Sequence, residues 1–216
     1  MTKSALNQNA NYAKELIDTI EPDFVFSNKP INRFKNVNKK ETVNNPDKNK
    51  RLLDLKNNIN SIENCKLKDS SKNLVLGDGD IDGPIMLIGE APSEAEEKSG
   101  LPFQGEVGSL LDKMFLAINI KRNKIYSTYT VNFRTPEDRK PTSQEIKRYS
   151  IFLKEHISII NPKIVMLMGS TAMEAITGSN DKISSERGEW KEIILKNVTF
   201  PIMITLSPSY LIRFPE

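Results

Sequence analysis

Short apolar runs separated by helical stripes set the pattern of this chain from residue 52 onward. Pro84–Ile88, Ile125–Val131, Lys163–Met168 and Ile202–Leu206 are compact runs of apolar, β-branched and aromatic residues. Runs of that length, bounded by Gly, Pro and Asn, predict buried strands. Between them lie helical repeats. Val107, Leu110, Leu111 and Met114 predict a helix over about 106–117. Thr142 or Ser143, with Glu145 in the first turn, caps the next; its stripe takes Ile146, Tyr149, Ile151, Phe152, Leu153, Ile157 and Ile160 before Asn161-Pro162 stops it. Gly169-Ser170 turns the third run into a helix with Ala172, Met173, Ala175 and Ile176, closed by Gly178. Leu52, Leu53, Leu55, Ile59 and Ile62 predict a helix leading in, and Leu74–Asp80 reads as an apolar run with a turn.

Strands alternating with helices predict an α/β fold of three layers, a mainly parallel four-stranded sheet flanked by helices on both faces. The loops after residues 88, 131 and 206 then leave the carboxyl edge of one sheet, where such folds bind ligands. The first reads Gly89-Glu90-Ala91-Pro92 and continues to Pro102-Phe103-Gln104-Gly105 and Gly108. It sets a carboxylate beside a Pro turn and an aromatic ring between turn residues, ahead of a helix N-terminus that favours anions.

The first 50 residues differ. A helical stripe over 4–20 ends at Pro22, and 21–50 is rich in Asn and Lys with few apolar positions. Such a stretch buries too little apolar surface to offset its ordering entropy, so it reads as a linker or mobile arm ahead of a domain over 51–216.

Composition narrows the partners. The 216 residues carry a net charge of +3, which suits a nucleic acid without demanding one. One cysteine, Cys65, leaves no intramolecular disulfide or all-cysteine metal cage, and reducing cytosol is the simple inference. No run approaches the roughly 18 apolar residues of a membrane span. A monomer is expected.

The order and spacing of Gly89-Glu90-Ala91-Pro92, Gly100, Pro102-Phe103, Gly105 and Gly108-x-Leu110-Leu111 resemble the first motif of the family 4 uracil-DNA glycosylases. Asn161-Pro162-Lys163-Ile164 through Gly169 and Ala172, Arg187-Gly188-Glu189-Trp190, and Pro208-Ser209-Tyr210-Leu211-Ile212-Arg213 resemble later family segments. The likeness runs from about Cys65 to the last residue. It implies excision of uracil from DNA, with the base swung out of the stack. It implies Glu90 for placing water or stabilising positive charge, Phe103 for stacking the base, Ala91 at the base, and backbone amides at Gly105, Gly169 and Ser170 with Arg213 on phosphates. Pro208, Tyr210 and Leu211 become the wedge that fills the gap left by the base. His156, mid-helix, reads as structural, as does Trp190.

Three departures bear on function. The family holds an iron–sulfur cluster on four cysteines; here those places fall on Ile62, Cys65, Phe133 and Tyr149, so no 4Fe-4S cluster and no metal are expected. The Asn that reads the uracil edge is replaced by Tyr129, whose ring either points elsewhere or fills the base pocket. The His of the last motif becomes Ser207, a shorter donor. Two readings follow: a divergent glycosylase acting weakly on uracil or on another damaged base, or a catalytically inactive DNA-binding remnant of the fold.

Overall fold

A computed structural model describes residues 47–214. The predicted helix over 4–20 and the arm up to residue 46 lie outside them. The first described helix, α1 (Lys48–Asn60), is capped by the Asp47 side chain and buries Leu52, Leu55 and Ile59. It takes in Lys48, which the composition assigned to the arm. Lys48 Nζ donates to the carbonyls of Ile81 and Ile160, both at 2.9 Å. Then follow α2 (Lys66–Ser70), β1 (Gly77–Gly79), β2 (Ile85–Gly89), α3 (Glu94–Ser99), α4 (Gly105–Ala117), β3 (Ile125–Tyr129), α5 (Ser143–Ile160), β4 (Ile164–Met168), α6 (Ser170–Thr177), α7 (Ile183–Glu186), β5 (Trp190–Leu195), β6 (Val198–Thr205) and α8 (Pro208–Arg213).

The sheet has six strands in the order β1-β3-β2-β4-β6-β5. Its four central strands are the four predicted ones, and they are mutually parallel. The expectation of four strands falls short by the two edges, β1 and β5, each antiparallel to its neighbour. Neither edge carries a buried apolar run: β1 is Gly-Asp-Gly, and β5 is largely exposed. The β5–β6 hairpin turns through Lys196 and Asn197, both at positive φ, as a two-residue turn that follows the twist of the strands requires.

Alternation along the strands feeds two cores. Met86 and Ile88 of β2, Tyr126 of β3, and Val165 and Leu167 of β4 pack with α1, α5 and α6. Leu87, Ile125, Tyr129 and Met168 face the other way, against Leu111 and Phe115 of α4. Burying each large side chain contributes about 1.5–3 kcal/mol. In α5 the buried set is Ile146, Tyr149, Leu153, His156, Ile157, Ile159 and Ile160, while Ile151 is 70% exposed. Five residues beyond Ile146, it lies off the buried stripe. In α4, Phe115 rather than Met114 completes the buried face.

The chain runs from β2 to β3 on one side and then crosses to β4 on the other. The carboxyl end of β2 is therefore the switch point where an open α/β sheet forms its crevice.

Candidate active site

Glu90 leaves β2 at that crevice. Its Oε1 accepts from the Thr171 backbone N–H at 3.2 Å and from the Thr171 hydroxyl at 2.9 Å. The carboxylate thus sits at the N-terminus of α6, where the helix dipole favours negative charge. The residue lines the cleft. Gly169 makes the seat possible: it holds φ +103°, and a Cβ there would stand 2.6 Å from the Glu90 carboxyl carbon.

Phe103 comes from the loop between α3 and α4, at φ +53°. An aromatic residue in the left-handed region is strained and needs support. Gly108 provides some, since a Cβ there would meet the Phe103 carbonyl oxygen at 2.1 Å. The Phe103 ring lies 5.0 Å from the Tyr129 ring, tilted by 36°, and the Arg122 guanidinium carbon lies 5.3 Å from its centroid. The Phe103 N–H donates to the Tyr129 phenolic oxygen at 3.0 Å. Tyr129 ends β3 directly beside Gly89 in register, and only 5% of it is exposed. Burial, with the Glu96 carboxylate nearby, pushes its phenol well above the usual range.

Glu96 is a buried carboxylate that ties the loop together. It accepts from the N–H of Ser93 at 2.9 Å and of Gln104 at 3.0 Å, and from the Ser93 hydroxyl. Ser207 leaves β6 and caps α8, its Oγ accepting from the Tyr210 N–H at 3.2 Å and lying 3.1 Å from the Ser209 hydroxyl.

These groups enclose a cavity of about 410 Å³. Of the residues singled out from the sequence, Glu90, Ala91, Phe103, Tyr129, Gly169, Ser170, Ser207, Pro208, Tyr210 and Arg213 line it. Leu211 borders an adjoining hollow, and Gly105 lines a separate one on the far side of the Phe103 loop. In the segment read as a wedge, Pro208 is buried and Tyr210 is 44% exposed, its ring 4.9 Å from that of Phe214. Sequence reasoning missed Thr171, Glu96 and Lys140. Lys140 stands at the rim with Nζ donating to the Ser170 hydroxyl at 2.9 Å. The run of acids after Pro92 was a signal for Glu96; Thr171 had none beyond its place in a helix first turn.

The four places of the cluster fall into one core. Cys65 Sγ lies 3.2 Å from the Tyr149 hydroxyl, Phe133 meets Tyr149 edge-on at 6.3 Å, and Ile62 packs against the same cluster of side chains. One thiol among a phenol, a phenyl ring and an alkyl chain does not fit an iron–sulfur cluster, which takes thiolate ligands.

A sheet with a parallel centre whose carboxyl edge carries a seated carboxylate and an aromatic pair defines an α/β protein with a polar cleft at its switch point. Comparison with known proteins bears on the same residues. The model of the family described as "Uracil DNA glycosylase superfamily" matches residues 76–216. The type-4 uracil-DNA glycosylase of Thermotoga maritima is 35% identical over 150 residues, 69% of this chain and 77% of that protein. That of Sulfurisphaera tokodaii is 36% identical over 158 residues, 69% and 72%. A DNA polymerase of Bacillus phage SP01 is 28% identical over 128 residues, 59% of this chain and 14% of the polymerase. The chain belongs to the uracil DNA glycosylase superfamily, and its likeness within it is to type 4.

Proposed function

We propose that this protein hydrolyses the N-glycosidic bond of uracil, or of another damaged base, in DNA, opening base-excision repair. The observation that carries the reading is the seat of Glu90: one oxygen is held by Thr171, and the residue lines the cleft with Phe103 and Ser207, where it would place a water. Water would attack the sugar carbon as the bond to the base breaks, and the proton it sheds passes by way of Glu90 to solvent, which protonates the released base. The bonding pair leaves with the base, and Glu90 stabilises the positive charge on the sugar. Lys140, Arg213 and the Ser170 amide stand at the rim for phosphates. The protein acts as a monomer in the cytoplasm, without an iron–sulfur cluster.

Activity on uracil is expected to be weak. Ser207 is a shorter donor than the imidazole of the family motif, with its oxygen held as a helix cap, and losing one tuned oxyanion donor costs about 10²–10³ in rate. A second reading, a DNA-binding remnant without catalysis, draws on the same cap and on the ring at the place of the base-reading amide.

The test is incubation with single- and double-stranded oligonucleotides bearing uracil, hypoxanthine or xanthine, followed by alkaline cleavage. Breaks that vanish in Glu90→Ala support excision. Salt-sensitive binding with no breaks supports the remnant.

A further inference from the structure

The resemblance puts a small amide where this chain has Tyr129, and the ring of Tyr129 lies against Phe103, the residue assigned to stack the base. A base held between two aromatic faces needs about 7 Å between them, twice the ~3.5 Å contact distance of carbon atoms. The ring centroids of Phe103 and Tyr129 are 5.0 Å apart. Nor is there space beneath: a Cβ on Gly89 would come within 2.7 Å of the Tyr129 ring and 2.9 Å of the Phe103 ring. Both rings bear directly on the backbone at the end of β2.

Tyr129 is also latched. Its oxygen accepts from the Phe103 N–H at 3.0 Å, and the buried Glu96 carboxylate holds the same loop. Glu96 is 3% exposed and is itself fixed by Ser93 and Gln104. The phenol ring matches a pyrimidine in ring size and planarity.

We propose that Tyr129 gates the cleft: its ring occupies the slot of the extruded base, latched by the Phe103 N–H, and a base enters only when that ring leaves. This rests on the excision reading for the identity of the slot. Vacating the slot strips the buried Phe103 N–H of its partner, which lowers base affinity on the order of 10-fold. A larger residue here therefore plugs the slot against any base, and its removal admits a pyrimidine.

Titration of free uracil, followed by NMR, tests this without any strand cleavage. The wild-type protein, Tyr129→Ala and Tyr129→Phe are compared after thermal melts confirm folding. The Ala variant is expected to bind uracil at least 10-fold more tightly than the wild type. The Phe variant, unlatched but still plugged, is expected to fall between them. Equal affinity of wild type and Ala, or no binding by Ala, overturns the proposal. If Ala does not fold, a Phe variant no tighter than wild type overturns it instead. Oligonucleotide cleavage by the same proteins separates the two readings. Uracil released equally fast by wild type and Tyr129→Asn overturns the plug alone. A plug confirmed by binding in a protein that never releases any base overturns excision alone.

Discussion

Thr171 holds Glu90 with both of its donors, the backbone N–H at 3.2 Å and the hydroxyl at 2.9 Å. The two residues lie 81 positions apart and meet because the carboxyl ends of β2 and β4 are adjacent in the sheet. The contact fixes which carboxylate oxygen is bound to the helix.

Thr171 is buried, so its removal acts through Glu90 rather than on substrate. Thr171→Val keeps the volume and the N–H but deletes the hydroxyl, and Thr171→Ser keeps both donors. Misplacing a catalytic group slightly costs up to about 10²-fold. With the best of the tested oligonucleotides, Thr171→Val is expected to lower kcat about 10-fold with KM unchanged, and Thr171→Ser to stay near wild type. Single-turnover cleavage measures it; an unchanged kcat in the Val variant removes Glu90's seat from the mechanism.

Gly169 and Gly178 offer a paired comparison. Both hold positive φ, but a Cβ on Gly178 meets nothing within 4 Å, whereas one on Gly169 meets the Glu90 carboxyl group. Gly178→Ala is expected to cost about 1–2 kcal/mol of stability, the strain of a left-handed residue, with cleavage retained. Gly169→Ala is expected to cost more and to abolish cleavage, because Glu90 must leave its seat. Chemical denaturation alongside the cleavage assay checks both.

The four central strands and the helices α1, α4, α5 and α6 were legible because burial on both faces leaves an unbroken apolar run, and burial on one face leaves a stripe. The edges β1 and β5 were not legible, since exposed strands carry no such run; Trp190 read as a packed residue but is 57% exposed at the start of β5. Glu90, Phe103 and Gly108 were legible as a motif, in order and spacing. Their partners were not. Thr171 and Glu90 are joined only by the fold, and nothing in the composition around Tyr129 says that its hydroxyl turns to the Phe103 backbone. Ser207 was legible as a position in the cleft but not as a helix cap, because six residues of α8 are too few to leave a stripe.

Entry to α5 rests on a reciprocal cap. Thr142 Oγ1 accepts from the Glu145 N–H at 3.3 Å, and Glu145 accepts from the Thr142 N–H at 2.7 Å. Arg139, on the cavity rim, grips the same carboxylate at 2.7 and 2.9 Å, and this pairing holds the Glu145 carboxyl down to about 2. Thr142→Ala is expected to lower stability by about 1 kcal/mol. Glu145→Gln keeps much of the cap but frees Arg139, so it is expected to strengthen DNA binding at low salt, with a lower melting temperature because the paired carboxylate's stabilisation is lost. Fluorescence anisotropy at two salt concentrations reads the first effect. Equal affinity of variant and wild type would show that Arg139 does not reach the strand.

His156 sets the acid limit of the fold. It lies inside the α5 core with Nε2 2.9 Å from the Tyr126 hydroxyl, and burial pushes its pKa down to about 3. In the unfolded chain the imidazole titrates near 6.5. Between about 3 and 6.5 the unfolded state therefore binds more protons than the folded one, and stability rises with pH across that window. The contribution is fully present above 6.5 and is lost progressively as pH falls towards 3. From pH 7 to pH 5 the expected loss is about 2 kcal/mol. Glu145, with its pKa lowered, adds a loss in the same direction that starts only below about 4.5. The windows separate the two groups. His156→Gln keeps an acceptor for Tyr126 and cannot charge, so its unfolding free energy should be nearly flat between pH 7 and pH 5, even if lower than wild type at pH 7. Urea denaturation at pH 7, 6 and 5 measures the slopes; parallel slopes for variant and wild type would mean that another group titrates there.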